Sequence, residues 1–459
     1  MRVTENNQWV EQQFGSCEFG HKRRTKRVCQ MARNMLECPE ESLPTQSDNW
    51  SDLKAAYNWC AREEVTFDAV ATPHWQQTRA TPPGRYLLIS DTTDIDHFSH
   101  KATTGLGQLG KGTGRGMQLH SCLMVDADEK VVLGTAGAHL HYRPKVSKTE
   151  SRTARLKRRR ESEIWGDVVS QAGAPPKDSQ WIHVFDRGGD NFEAMCHILQ
   201  KGGDFIIRAA KLQRNVIDEQ GNKRPFREVL NDSQVVGHYE LSLRARPGQS
   251  ARVAQIEVST LRIAFPQPHF KSEFVKNCGI DSIPLNVVIV QEINAPEGVT
   301  PIRWILMTSL PVDTFEEVWE VIEFYECRWL IEEYHKVLKT GCSIERHSLR
   351  EAGRLEPLIA LISVIGVRLL QLKTITRHNP DQPARHRVPN SWLDALKALR
   401  PRLKTTNLTV YEFFRELAKL GGFLGRKHDG EPGWQTIWRG YQKLQAILLG
   451  MKIAKNKSG

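Results

Sequence analysis

The chain has 459 residues, room for two to four domains and at least one large core. Lysine and arginine (64) exceed aspartate and glutamate (53) by 11, which points to an acidic polymer or surface as partner. An anionic membrane is the rival. The longest apolar run, Leu358 to Val367, is too short to span a bilayer and is followed by Arg368, so no membrane association is expected. MRVTENNQWVEQQFG at the start lacks the apolar segment of an export signal. The nine cysteines are scattered without a CxxC pair, which suits reduced thiols in a cytoplasmic protein rather than a disulfide frame or zinc site.

Residues 1 to about 70 have helical periodicity in three pieces, Gln8–Gln13, His21–Leu36 and Asp48–Arg62. The second opens with HKRRTKR, either a solvated face or a helix laid against phosphates. Strands follow: Tyr86–Ser90 as a short buried run, then Met117–Val125 and Val131–His141 as a hairpin across DADEK. After a very basic segment, Lys145 to Arg160, the pattern alternates. It gives a helix at Glu161–Gln171, a strand at Trp181–Phe185, a helix at Asn191–Gln200 and a strand at Phe205–Ala209. Residues of about 212 to 310 read as antiparallel strands (Val235–Leu243, Val253–Phe265, Leu285–Glu292, Trp304–Thr308), and the chain is helical after Arg350. The expected fold is therefore α/β, with an inserted antiparallel β subdomain and helical flanks. The expected division is 1–70, 71–372 and 373–459.

The stretch FYECRWLIEEYHKVLKTG, Phe324 to Gly341, carries Tyr325, Arg328, Glu332 and Lys339 on one helical face, spread over about 60°. Leu330, Ile331, Tyr334, Val337 and Leu338 fill the opposite face as a core stripe. A carboxylate between cations suits a metal and a phosphodiester held together, although Arg328–Glu332 is also an ordinary i,i+4 salt-bridge spacing. Asp91 ends YLLIS and Asp186 ends WIHVF, at the strand tips where α/β domains place functional groups. With Glu332 they could hold two divalent cations about 4 Å apart. A turn or cap is the competing role for each aspartate. Asp94, Asp96, Asp190 and Glu333 lie close by in sequence. The loop GLGQLGKGTGRG, Gly105 to Gly116, imitates a phosphate-binding loop. It has Gly112 where a magnesium-binding hydroxyl belongs and a strand rather than a helix after it, so no nucleotide cofactor is expected.

The spacing Tyr325-x2-Arg328-x3-Glu332-x6-Lys339 resembles the signature of bacterial cut-and-paste DDE transposases of the insertion-sequence four family. RWLIEEYHKVLKTG is similar to the transposon-five branch of it. Asp91-Thr92-Thr93 and Asp186-Arg187 resemble that family's first and second catalytic aspartates, and Glu332 its glutamate. The resemblance implies an RNase H-like core, an N-terminal domain that reads transposon ends, and a C-terminal dimerisation region. It implies Mg2+ as cofactor (two ions, with Mn2+ able to substitute), double-stranded DNA as substrate and target, and a homodimer in the DNA-bound complex. It also implies hairpin formation, with Trp304 holding an extruded base. Arg208 would contact the DNA end, and Tyr325, Arg328, Lys339 and Trp329 its terminal phosphates and base. FGHKRRTKRV would place Arg23, Arg24 and Arg27 on DNA, and Gly421 to Trp434 resembles the family's C-terminal stretch. The first 85 residues match only in patches, so the DNA end recognised should differ. The basic run at 152–160 would add DNA contacts, unless it is a solvated loop.

Overall fold

The computed structural model describes residues 5–457 except 111, 145–148, 150, 152–159, 244, 246–249, 379, 402, 404–406 and 427–428. The basic run at 152–159 and Lys111 therefore lie outside the described residues.

One mixed sheet organises the protein. Strand β1 (Arg85–Asp96) pairs antiparallel with β3 (Gly114–Asp126), which also pairs with the short β2 (Gly107–Leu109) and with β4 (Val132–His141). On its other side β1 runs parallel to β5 (Gln180–Phe185), and β5 runs parallel to β6 (Asp204–Arg208). Tyr86–Ser90 and Trp181–Phe185 are buried throughout, as strands covered by helices on both faces must be. The β3–β4 hairpin across DADEK forms where the sequence places it. The glycine loop joins β2 to β3, so no helix N-terminus is offered to a phosphate there.

The inserted block is antiparallel as expected, with β7 (Asn215–Ile217), β8 (Lys223–Pro225), β9 (Gln234–Leu243), β10 (Arg252–Pro266) and β11 (Ser282–Glu292). It does not form a separate layer. Strand β12 (Arg303–Thr308) returns antiparallel to β6, with Leu306 opposite Arg208, so the inserted strands continue the central sheet.

The N-terminal helices are α1 (Asn6–Phe14), α2 (Lys22–Glu37), α3 (Trp50–Cys60) and α4 (Phe67–Arg79). His21 caps α2 by accepting from Arg23 N. Helices α5 (Glu163–Ala172) and α6 (Phe192–Gln200) flank β5 in sequence, and Asn191 caps α6. The stretch 324–341 is not one helix. Helix α7 (Phe315–Glu326) ends, the hydrogen bonds tighten to i→i−3 (Arg328 N to Tyr325 O, Ile331 N to Arg328 O), α8 (Trp329–Lys336) begins, and a π-turn closes it at Val337–Gly341. The expected stripe Leu330, Ile331, Tyr334, Val337 and Leu338 is buried. Irregular turns of this kind re-aim side chains, and they recur at functional sites.

Helix α9 (Ala352–His378) threads the core. Its segment Ala352–Leu372 is long and apolar enough to cross a membrane, beyond what the run before Arg368 suggests, yet from Leu355 onwards it is almost wholly buried inside the fold. Arg368 is buried too, with its guanidinium 5.6 Å from the centre of the Trp9 ring. Positions 70 and 372 both fall inside helices, α4 and α9. Three helices end the chain: α10 (Asn390–Leu399), α11 (Val410–Leu420) and α12 (Trp434–Lys457). α12 reaches back to the start, where Tyr441 donates to Asn6 at 2.8 Å and Trp438 to Glu40 at 3.1 Å.

Helices α11 and α12 touch backbone to backbone at glycines. A Cβ on Gly440 would lie 1.8 Å from the Leu417 carbonyl oxygen, and one on Gly421 1.9 Å from that of Thr436. Alanine gains about 1 kcal/mol over glycine in a helix, while overpacking costs about 1–3 kcal/mol, and here the obstacle is immovable backbone. Gly440→Ala is therefore expected to lower stability by about 1–2 kcal/mol in urea unfolding; an unchanged midpoint would contradict this packing.

Candidate active site

Asp91 is not at a strand tip, as the sequence suggested. β1 continues to Asp96, opposite β3, with Asp91 facing Ser121. What ends at Ser90 is the parallel pairing with β5, where Ser90 lies opposite Phe185. Asp91 and Asp186 are thus the next residues on two neighbouring parallel strands, where the sheet opens. Asp91 Oδ1 accepts from the Thr92 amide at 2.7 Å. Asp186 Oδ1 accepts from the Gly188 amide at 2.7 Å and caps a short 3₁₀ turn.

Glu332 comes from α8. One ligand-type atom from each of Asp91, Glu332 and His335 lies within 4.8 Å of the other two. Asp186 is outside that tight group, but its charge reaches Asp91. Burial first, then Asp186 and Glu332, raise the Asp91 carboxyl from 3.8 to about 7. Arg328 opposes this, 3.7 Å from Asp91 and 3.3 Å from Glu332. So the i,i+4 bridge exists, and its arginine also serves a second carboxylate. Oxygen donors short of positive charge are what a hard divalent cation requires, so these residues fit one.

The other expected residues divide into groups. Tyr325 is buried, its ring edge-on to Trp304 at 5.2 Å, and burial raises its phenol while the nearby Arg328 and Arg208 oppose that rise. Arg208 also donates to the Arg303 carbonyl at 2.9 Å. Trp304, Tyr325 and Arg208 thus form one cluster. Trp329 is 60% exposed at the start of α8. Lys339, re-aimed by the π-turn, lies 3.3 Å from Glu345. In the N-terminal helix Arg23 is exposed, whereas Arg24 pairs with Glu64 and Arg27 with Asp52.

The neighbouring carboxylates have other tasks. Asp94 accepts from Gln118, and Asp96 from the Phe98 amide. Asp190, 2% exposed, anchors the loop after β6 by accepting from the Ala210 and Lys211 amides and from Arg214. Sequence reading missed His335, although its place three residues after Glu332 was a visible signal. It also missed His120, which bonds Thr92 at 2.8 Å and meets the Trp165 ring at 4.5 Å.

Family comparisons agree with this geometry. A transposase DNA-binding family matches residues 6–65, a transposase DDE domain matches 182–365, and a transposase Tn5 dimerisation domain matches 364–459. The chain belongs to the Tn5-like DDE transposases. Its sheet and flanking helices are thereby an RNase H-like core with added strands. It is a transposase, with parts for DNA binding, for divalent-metal chemistry and for pairing with a second copy. Asp186 and Glu332 lie inside the DDE match, while Asp91 precedes it.

The Asp91 shift has a consequence for the metal-free protein. Its folded value, about 7, lies above its ordinary 3.8, so ionisation destabilises the fold increasingly between those values and fully above them. Asp91→Asn is expected to stabilise the metal-free transposase by about 1–3 kcal/mol near pH ~8, after allowing for the lost Arg328 pairing. The gain should fade as the pH falls towards ~4. A gain independent of pH would rule out this coupling.

Proposed function

We propose that this transposase is catalytically competent and that Asp91, Asp186 and Glu332 are its catalytic carboxylates, holding two Mg2+ ions for which Mn2+ substitutes. The observation that carries this reading is the meeting of Asp91 with Glu332 beside the charge of Asp186, with Arg328 shared between two of them. Such ions, when bound, polarise the scissile phosphate and lower the pKa of an attacking water or 3′-hydroxyl.

The protein's own residues bind and orient the DNA. Arg328 is placed to meet a terminal phosphate beside the carboxylates, and Lys339 to exchange Glu345 for a second one. Arg208 and Tyr325 hold the DNA end, Trp329 stacks on a base, and Trp304 receives the base extruded as the hairpin forms. Water first cuts one strand at the transposon end. The freed 3′-hydroxyl attacks the opposite strand to close the hairpin, a second water opens it, and the same hydroxyl joins target DNA. Each step is an in-line displacement at phosphorus, so one site serves all of them.

The N-terminal region (1–70) reads the inverted-repeat ends, 71–372 cuts, and 373–459 pairs two copies, so that both ends assemble before cleavage. Within α2, exposed Arg23 meets phosphate directly. Arg24 and Arg27 share their charge with carboxylates until DNA arrives. The protein would work in the bacterial cytoplasm, on the nucleoid. The second reading is a silent, transposase-derived repressor; the presence of all three carboxylates weighs against it.

The test uses purified protein and the DNA ends flanking its gene, with Mg2+ or Mn2+, on a denaturing gel. Wild type is expected to give nicks, hairpins and joined products. Glu332→Gln should lose them by roughly 10³-fold or more while still binding the ends. Metal-dependent cleavage absent from wild type would favour the repressor. Trp304→Ala should keep first-strand nicking but lower hairpin yield roughly tenfold; equal losses at both steps would remove the base-holding role. Arg23→Ala should reduce the slope of log affinity against log salt by about 1, and an unchanged slope would take Arg23 off the DNA.

A further inference from the structure

We propose that His335 is a third protein donor to the cation held between Asp91 and Glu332. It would be a nitrogen ligand that tilts this position towards Mn2+ and related transition metals and away from Mg2+. The inference deepens the function proposed above and rests on it.

Three observations carry it. First, Glu332 and His335 stand three residues apart on α8, the spacing that brings two side chains to one face of a helix. Glu-x-x-His on one helix, facing carboxylates from other elements, is a recurrent way of holding manganese and iron in helical proteins. Second, a ring nitrogen of His335 lies within 4.8 Å of carboxylate oxygens of both Asp91 and Glu332. Third, His335 is only 6% exposed, and its Nε2 has no hydrogen-bond partner among the described residues. Buried imidazoles in cores are ordinarily hydrogen-bonded, and one that is not calls for a water or an ion.

The neighbourhood suits a ligand rather than a general acid. Burial first, and then Lys339 and Arg328, disfavour a positive charge on the ring. His120, near enough to feel a charge on that ring, is fixed through Thr92, the residue that follows Asp91. Two carboxylates alone would leave the position to hard, oxygen-seeking Mg2+. One imidazole nitrogen adds affinity for first-row transition metals, with little return for Mg2+.

The experiment reads the metal rather than turnover. Full-length protein is loaded with Mn2+ below one equivalent, and pulsed EPR records nitrogen couplings. Wild type is expected to show the ¹⁴N modulation of a bound imidazole, replaced by the ¹⁵N pattern after ¹⁵N-histidine labelling. The labelled wild type gives a result even if a substitution at 335 does not fold. His335→Gln should lose the modulation and bind Mn2+ roughly tenfold more weakly, with its affinity for Mg2+ barely altered; His120→Gln should keep the modulation. Bound Mn2+ without nitrogen coupling overturns this inference alone. So does coupling that survives His335→Gln. Absence of any bound Mn2+ overturns the proposed function, and this inference with it.

Discussion

The site depends on electrostatic repulsion that the fold does not relieve by itself. Asp91 and Asp186 follow the last paired residues of adjacent parallel strands, and Glu332 is brought up to them from a helix. Burial and mutual charge make ionisation of Asp91 costly, and a single arginine, Arg328, spans only part of the deficit. The opening between the two strands can bear this because the buried runs before it, Tyr86–Ser90 and Trp181–Phe185, are sealed on both faces. The sheet contributes the stability that the carboxylate cluster subtracts, a common division between scaffold and site.

Much of this was legible before any coordinates. Alternation and apolar runs mark β4, β5, β6, β9, β10 and β12 almost to the residue, and β3 and β11 except for their first three residues, since a half-buried or buried strand leaves a direct trace in sequence. The spacing from Tyr325 to Lys339 pointed to the right residues for a reason partly different from the actual one. A uniform helical wheel puts Tyr325 on an open polar face. The structure buries it against Trp304 at the end of α7, before the hydrogen bonds tighten at Arg328, and the π-turn then re-phases Lys339. Periodicity cannot register such departures from 3.6 residues per turn.

Tertiary context explains the remaining differences. Asp91 looked like a strand end because YLLIS stops there, but Thr92 to Asp96 extend the strand through antiparallel pairing with β3. Arg368 looked like the end of an apolar run, yet it is buried against Trp9 within a helix whose apolar stretch continues beyond it to Leu372. Nothing local to Arg24 or Arg27 shows that Glu64 and Asp52 will fold beside them. His335 lies within the motif from Tyr325 to Lys339, but the lack of a hydrogen-bond partner for its Nε2 among the described residues is a property of the packed core and not of the sequence.

The continuity of the sheet through β6 and β12 bears on how such an enzyme changes over evolutionary time. Arg208 stands on β6, Trp304 on β12, and the two strands are held in one register with Leu306 opposite Arg208. A slip of one residue would turn every side chain of β12 to the other face. A lineage is therefore free to lengthen, shorten or recharge the loops between the inserted strands. It cannot shift the frame that sets tryptophan against arginine without dismantling both.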